Sequence, residues 1–173
     1  MLAKIVTRQL ILSMGLRFKE QIFGNCFFIT TTFNNWENYG YTDGVYEKLY
    51  DSIKLYLEKY DSKLLGYVFM PSHIHLLLWI DGNRLSGFMR DLKKYISQKA
   101  FKDIGINNNK VWMDGFDRVV IYSDNILLQK LDYIHRNPVK AGLVKKLEDW
   151  KWSSAKDYLC DKVESNIVFN NWR

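Results

Sequence analysis

The chain has 173 residues, a net charge of +6 and an isoelectric point near 9.2, and 47% of its residues are hydrophobic. This length suits one domain that buries a core without disulfides or structural metals, and the apolar content excludes an intrinsically disordered chain. No apolar run approaches the ~20 residues that cross a bilayer, which excludes a membrane-spanning helix.

The net charge indicates the kind of binding partner, and the cysteines indicate the redox compartment. A basic balance favours an acidic partner such as nucleic acid, although it is also compatible with ordinary solubilising charge. Cys26 and Cys160 lie far apart and have no metal-ligand spacing, so we expect reduced thiols in a cytoplasmic protein. We divide the chain into a basic arm over residues 1–24, one domain over residues 25–160 and a tail over residues 161–173.

The first half of the domain begins with a strand over residues 26–33, which are rich in aromatic and β-branched side chains. A loop over residues 34–44 follows. Apolar residues then recur with helical spacing over residues 45–60, and Thr42 or Asp43 is placed to cap that helix.

Two strands over residues 64–80 are joined at Met70, Pro71 and Ser72. Side chains alternate between the faces of a strand, so His73 and His75 share one face at a backbone separation of roughly 7 Å. Both rings can converge on one ion. The alternative is that each histidine is an ordinary half-buried residue.

A second helix is predicted over residues 85–101, and Arg90, Lys93 and Lys94 lie largely outside its apolar stripe. Such a basic face is either solvated or contacts phosphates. After a loop over residues 103–110, residues 116–122 form a fourth strand, which includes Arg118.

A third helix starts at a cap formed by Ser123 or Asp124 and is expected to end at Asn137, because Pro138 follows. Tyr133 and Asn137 lie four residues apart on one flank of its apolar stripe. Tyr133 is either an amphipathic packing residue or a functional one, and Asn137 either terminates the helix or acts in a site.

The order of elements predicts an α+β protein with the ferredoxin-like β-α-β-β-α-β arrangement, followed by a C-terminal helix that carries the tyrosine. The antiparallel sheet would carry helices on one face and leave the other face available.

Two motifs resemble those of the single-tyrosine HUH transposases, in particular the REP-associated tyrosine transposases of bacteria. The first is His73, Ile74 and His75 after the Met70 to Ser72 turn, and the second is the stretch over residues 133–144 that begins at Tyr133. The resemblance covers residues 20–158. Ser72 stands where relatives often carry Asn, and residues 1–19 and the residues after 160 lie outside the resemblance.

The resemblance implies a divalent metal held by His73 and His75, with Asn137 as third ligand and Tyr133 as the nucleophile. The expected ion is Mg²⁺ or Mn²⁺, although imidazole ligands by themselves also suit Zn²⁺. The implied reaction is DNA transposition: single-stranded DNA beside a hairpin is cleaved and rejoined through a 5′-phosphotyrosine intermediate. Whether a monomer or a homodimer acts stays open.

Four basic residues are candidates to neutralise the DNA phosphates: Arg90, Lys93, Lys94 and Arg118. Two alternatives keep the same scaffold. In one, the protein only binds single-stranded nucleic acid and the histidines pack. In the other, a metal-dependent phosphodiesterase uses water as nucleophile and forms no covalent link. His135, two residues from Tyr133, points elsewhere on the helix and is read as structural or DNA-facing.

Overall fold

A computed structural model describes residues 25–159 and 167–169. Four strands, β1 (Cys26–Thr32), β2 (Lys63–Phe69), β3 (His73–Trp79) and β4 (Asp117–Val120), form one antiparallel sheet in the order β2-β3-β1-β4. The α-helices are α1 (Val45–Lys59), α2 (Gly82–Tyr95), α3 (Asp124–Lys140) and α4 (Ala155–Leu159). This is the predicted ferredoxin-like α+β arrangement. The arm over residues 1–24 lies outside the described residues, as does most of the tail.

Helices α1 and α2 pack on one face of the sheet. On that face the ring of Phe69 in β2 stacks against Tyr46 in α1, and the ring of Phe27 in β1 lies against Gly82 at the start of α2. The apolar stripes of both helices are buried, as their 3.6-residue periodicity requires.

Helix α3 covers the opposite face of the sheet. Gly66 in β2 faces this helix, and a Cβ atom there would lie only 2.8 Å from a methyl carbon of Leu131 and 3.0 Å from one of Ile134. The absent side chain therefore lets α3 approach the sheet closely. Because helices cover both faces, the five central residues of β3 are all buried, and the face that the fold pattern leaves available is occupied by the tyrosine helix.

Three predicted boundaries differ from the structure. The cap of α1 is Gly44, in the left-handed region at φ 82°, and the Thr42 carbonyl rather than a Thr42 or Asp43 side chain accepts from Val45. Helix α2 begins at Gly82, where Asp81 caps it, and continues as a π-helical turn over Ile96–Ala100.

Helix α3 does not end at Asn137, as predicted, but runs through Pro138 to Lys140. A proline removes one backbone donor and costs most in a helix interior, whereas Pro138 lies in the last turn. The backbone N–H of Ala141 still donates to Asn137 and that of Leu143 to Pro138. The predicted cap by Ser123 is confirmed, since its side chain accepts from the N–H of Ile126.

The chain after α3 protects the outer edge of the sheet. Ser153 and Val168 form isolated bridges to β2, and the N–H of Phe69 donates to the carbonyl of Trp152. At the other edge all four residues of β4 are exposed.

Cys26 is a buried free cysteine, and burial raises the pKa of its thiol to about 12. Among the described residues, none of the helices combines the length and apolarity that a bilayer crossing requires.

Candidate active site on the histidine face

His73 and His75 share the face of the sheet that α3 covers. Their ring centroids lie 4.8 Å apart in a T-shaped arrangement. His73 is the first residue of β3 and half-buried, whereas His75 is only 4% exposed. The alternation predicted from the sequence therefore brings the two imidazoles together, at the end of β3 where the strand leaves the turn at Ser72.

The ring of His75 is fixed from two sides. Its Nδ1 lies 2.8 Å from the hydroxyl oxygen of Thr30, the residue paired with it on β1, and its ring stacks on Phe28 at 5.2 Å. Its Nε2 atom is buried without a hydrogen-bond partner. When Nδ1 donates to Thr30, Nε2 presents its lone pair, which is the tautomer that a metal ligand needs.

Burial keeps both histidines neutral at neutral pH. Desolvation, with smaller effects of His73 and Lys130, lowers the pKa of His75 to about 3, and desolvation also lowers the pKa of His73. The Nδ1 atom of His73 lies 3.1 Å from the hydroxyl of Ser72, so this ring is also oriented through Nδ1. Both imidazoles are thus suited to bind an ion through Nε2.

Tyr133 lies beside this pair on α3. Its ring centroid is 5.4 Å from that of His75 and 5.8 Å from that of Phe28, and the residue is 39% exposed. The packing is edge-on, so the ring is held by the sheet while the residue still reaches solvent. The structure thus joins a tyrosine and two histidines that are about 60 residues apart in the chain.

Two lysines that the sequence analysis missed flank this tyrosine. The ammonium group of Lys130 lies 4.5 Å from the centre of the Phe28 ring and 5.7 Å from that of Tyr133, and Lys140 lies 5.7 Å from the Tyr133 ring. Lys130 precedes Tyr133 by three residues and Lys140 follows it by seven, which are spacings that share one face of a helix. This helical spacing from Tyr133 is the sequence feature that could have identified both lysines.

Asn137 lies one helical turn after Tyr133. Its Nδ2 atom is buried without a hydrogen-bond partner, so the amide can still donate a hydrogen bond, whereas a cation would bind through the amide oxygen. No group of three His, Cys, Asp or Glu side chains suited to a metal occurs in the described part of the chain. A metal here would therefore depend on two imidazoles and an amide oxygen, a mixed set in which the oxygen suits Mg²⁺ and Mn²⁺ and the imidazoles also suit Zn²⁺.

His135 is structural, which is one of its two predicted roles. It is buried, its Nε2 lies 2.9 Å from the hydroxyl of Ser154, and burial lowers its pKa to about 4. Ser154 also accepts from the N–H of Tyr67 in β2. This contact fastens α3 to the sheet two residues from the tyrosine.

Three of the predicted DNA-binding residues, Arg90, Lys93 and Lys94, line a groove of about 640 Å³ between α2 and residues 109–116. Arg90 and Lys94 are exposed. Lys93 instead donates to the carbonyl oxygens of Met113, at 2.8 Å, and Gly115, and it lies over the ring of Trp112. Its ammonium group holds the far wall of the groove in place.

Arg118 is exposed on β4 and pairs with Ile29 of β1. Directly paired residues share a face. Ile29 alternates with Phe28 and Thr30, which face α3, so Arg118 belongs to the side of the sheet that carries α2. All four predicted basic residues therefore lie on the opposite side of the sheet from Tyr133.

Comparison with known proteins relates this arrangement to transposases. The chain is 32% identical over 107 residues to a REP-associated tyrosine transposase of Haemophilus influenzae, and 29% identical over 91 residues to one of Escherichia coli. The matches cover 56% and 51% of this chain, and the chain spans only 61% and 52% of these relatives.

A solved structure of a REP-associated tyrosine transposase bound to a REP hairpin shares the fold, with a TM-score of 0.69 and 22% identity over 88% of this chain and 90% of that one. The family model described as "Transposase IS200 like" matches residues 28–137, a stretch that includes both histidines, Tyr133 and Asn137. By this match, the chain belongs to the IS200-like transposase family.

Proposed function

We propose that the protein is a metal-dependent transposase that cleaves and rejoins single-stranded DNA through a 5′-phosphotyrosine link at Tyr133. The observation that carries this proposal is the contact between Tyr133 and His75, with His73 beside it, in a family of transposases. One chain supplies all three side chains, which supports a site in which the tyrosine acts in cis.

The reaction uses the phenol oxygen of Tyr133 as nucleophile. An O–P bond forms between this oxygen and the scissile phosphate while the bond from phosphorus to the 3′-oxygen breaks. The phenol loses its proton, and the departing 3′-oxygen becomes a hydroxyl. The same hydroxyl can later attack the phosphotyrosine, so strands are rejoined without an external energy source.

His73, His75 and Asn137 are the residues that would hold a divalent ion, Mg²⁺ or Mn²⁺. When bound, such an ion offsets negative charge on the phosphate oxygens as a Lewis acid. The fit rests on the unpartnered Nε2 of His75, since buried polar atoms without partners are rare in folded proteins. Thr30 and Ser72 orient the two rings through their Nδ1 atoms.

Lys130 and Lys140 add positive charge around the nucleophile. The phosphate must approach the edge of the Tyr133 ring where its hydroxyl lies, and both ammonium groups lie within 5.7 Å of that ring. We infer that they attract the phosphate and stabilise the charge that develops on its oxygens.

We further propose that the bound DNA carries a hairpin next to the cleaved strand. The related solved structure holds a REP hairpin. In this chain the groove that contains Arg90 and Lys94 has a volume of about 640 Å³ and lies on the α2 side of the sheet. A hairpin held there would leave its single-stranded flank free to reach the histidine face.

The first test replaces Tyr133 by phenylalanine, which keeps the ring contacts with His75 and Phe28 and removes the nucleophilic oxygen. The wild type should form a covalent protein–DNA adduct with a labelled single-stranded hairpin substrate and Mn²⁺, visible on a denaturing gel. Tyr133→Phe should bind the same DNA and form none. Tyr122→Phe, at an exposed tyrosine outside this cluster, is the matched control and should behave as the wild type.

Each alternative gives a different result. A phosphodiesterase that uses water would cleave the DNA in the Tyr133→Phe protein. A non-catalytic binding protein would give neither adduct nor cleavage in the wild type.

A further inference from the structure

Trp36 is exposed, unlike the other tryptophans that the structure describes. The residue is 61% exposed to solvent. Trp112 is buried in the hydrophobic core, and Trp79, Trp150 and Trp152 pack against that core. An indole left in water forgoes the largest hydrophobic gain available to any side chain. Core packing therefore does not explain this residue.

The backbone that presents Trp36 is held in an unfavourable conformation. Asn35 and Trp36 have φ values of 53° and 58°, in the left-handed region that bulky residues rarely adopt. The turn is fixed by hydrogen bonds from the N–H of Trp36 to Phe33 and from that of Asn34 to Val111. Strain of this kind persists only where the surrounding structure imposes it, and it concentrates at ligand sites.

The position of Trp36 connects the two surfaces described above. Its ring contacts the ring of His73 edge-on, at 6.2 Å between centroids and an angle of 73°. Its turn is bonded to Val111, and the neighbouring Thr32 accepts from Met113, both of which line the basic groove. Trp36 therefore lies between the groove on the α2 side and the histidine face.

We propose that Trp36 is a stacking platform for a nucleobase of the single strand next to the scissile phosphate, and that it guides this strand from the groove towards Tyr133. This inference rests on the function proposed above. Stacking suits the task because every base has an aromatic face, so the contact holds the strand without reading its sequence. The T-shaped contact with His73 leaves at least one face of the indole for this purpose.

The test measures DNA affinity in a Tyr133→Phe background, where the strand stays intact, by fluorescence anisotropy with a hairpin that carries a single-stranded extension. Trp36→Ala should weaken binding about 5- to 100-fold, the effect of removing one base–aromatic stack. Trp36→Phe should retain most of the affinity, and Tyr122→Ala, at an equally exposed aromatic residue, should retain all of it. Wild-type affinity of Trp36→Ala would overturn the proposal.

Trp36→Gly separates stacking from folding. Glycine adopts the left-handed region freely, so this variant should melt at or above the wild-type temperature while losing the same affinity as Trp36→Ala. Wild-type DNA affinity of Trp36→Gly would overturn the proposal, because the indole would then contribute nothing to binding.

An abasic scan of the extension identifies the stacked base. The wild type should lose affinity at one abasic position, and Trp36→Ala should show no further loss there. Equal losses in both proteins at every position would overturn the proposal. Adduct formation by the protein with Tyr133 intact is scored in parallel: adduct without a Trp36 effect refutes the stacking alone, and a Trp36 effect without adduct refutes only the covalent step.

Discussion

Thr30 determines how the ring of His75 is presented. The threonine hydroxyl is the partner of Nδ1, and the opposite nitrogen is buried without a partner. Thr31, the next residue on β1, lies on the other face, where its own hydroxyl is buried without a hydrogen bond. These neighbours allow a matched comparison of one hydroxyl that orients a ring and one that does not.

We expect Thr30→Val to weaken Mn²⁺ binding about 10- to 100-fold, the usual effect of removing a group that orients a metal-ligating histidine. Valine preserves the shape of the side chain, so the fold should be retained. Thr31→Val is the control and should leave metal affinity unchanged. Calorimetric titration with Mn²⁺ measures both. Equal Mn²⁺ affinities for all three proteins would contradict the role given to Thr30 in orienting His75.

Lys130→Met should slow adduct formation by about 10-fold or more, because it removes a positive charge beside the phosphate while keeping an apolar stem over Phe28. Lys99→Met is the control, since Lys99 lies over the ring of Tyr95 on α2 at 5.8 Å, a similar contact elsewhere. Single-turnover rates with Mn²⁺ measure the difference. An unchanged rate would mean that Lys130 is only a packing residue.

At the scale of elements, the attachment of α3 to β2 sets the position of the tyrosine. Gly66 allows the close approach, and the fully buried hydroxyl of Ser154 links His135 of the helix to Tyr67 of the strand. Local helical propensity favours the formation of α3, but these tertiary contacts determine which side of the helix faces the histidines.

Ser154→Ala should lower the free energy of unfolding by about 2 to 4 kcal/mol, because it leaves the Tyr67 N–H and the His135 ring nitrogen buried without partners. Adduct formation should fall with it, since α3 loses its anchor near Tyr133. Ser97→Ala is the control: its hydroxyl bonds only a carbonyl within its own helix, so a change below about 0.5 kcal/mol is expected. Chemical denaturation gives both values, and equal stabilities would refute the anchoring role.

At the scale of the whole molecule, the histidine face with Tyr133 and the basic groove occupy different sides of one sheet. Lys93 and Lys94 are adjacent in the sequence but have different roles in the structure. Lys94 is exposed, whereas burial lowers the pKa of Lys93 and its ammonium group is bonded to two carbonyls of the groove wall.

Lys94→Ala should reduce the salt dependence of DNA binding by about one unit of slope, as expected for one lost phosphate contact, without changing stability. Lys93→Ala should instead lower the melting temperature, because residues 113–115 lose their anchor. Binding isotherms at several salt concentrations, with thermal melts, separate the two variants. A reduced slope without destabilisation in Lys93→Ala would show that Lys93 contacts phosphate directly.

The sequence by itself determined the elements and the fold class. Repeats of two and 3.6 residues show which faces of strands and helices are apolar. Together with the capping residues, these local signals predicted the strand pair around Pro71, the first two helices and a cap of α3 at Ser123 or Asp124. The fold prediction and the family resemblance are confirmed. Pro138 misled the prediction of the helix end, since the cost of proline depends on its distance from that end.

Only the tertiary structure decided what surrounds each candidate residue. Tyr133 contacts His75 because α3 packs on the face of the sheet that the ferredoxin-like pattern leaves available. The hydrophobic periodicity of a helix does not specify which face of the sheet that helix will cover. The same packing determines that Lys130 and Lys140 surround the tyrosine, that Lys93 is bonded within the protein, and that Trp36 remains exposed beside His73. These properties depend on contacts between residues distant in the chain, which a single sequence does not display.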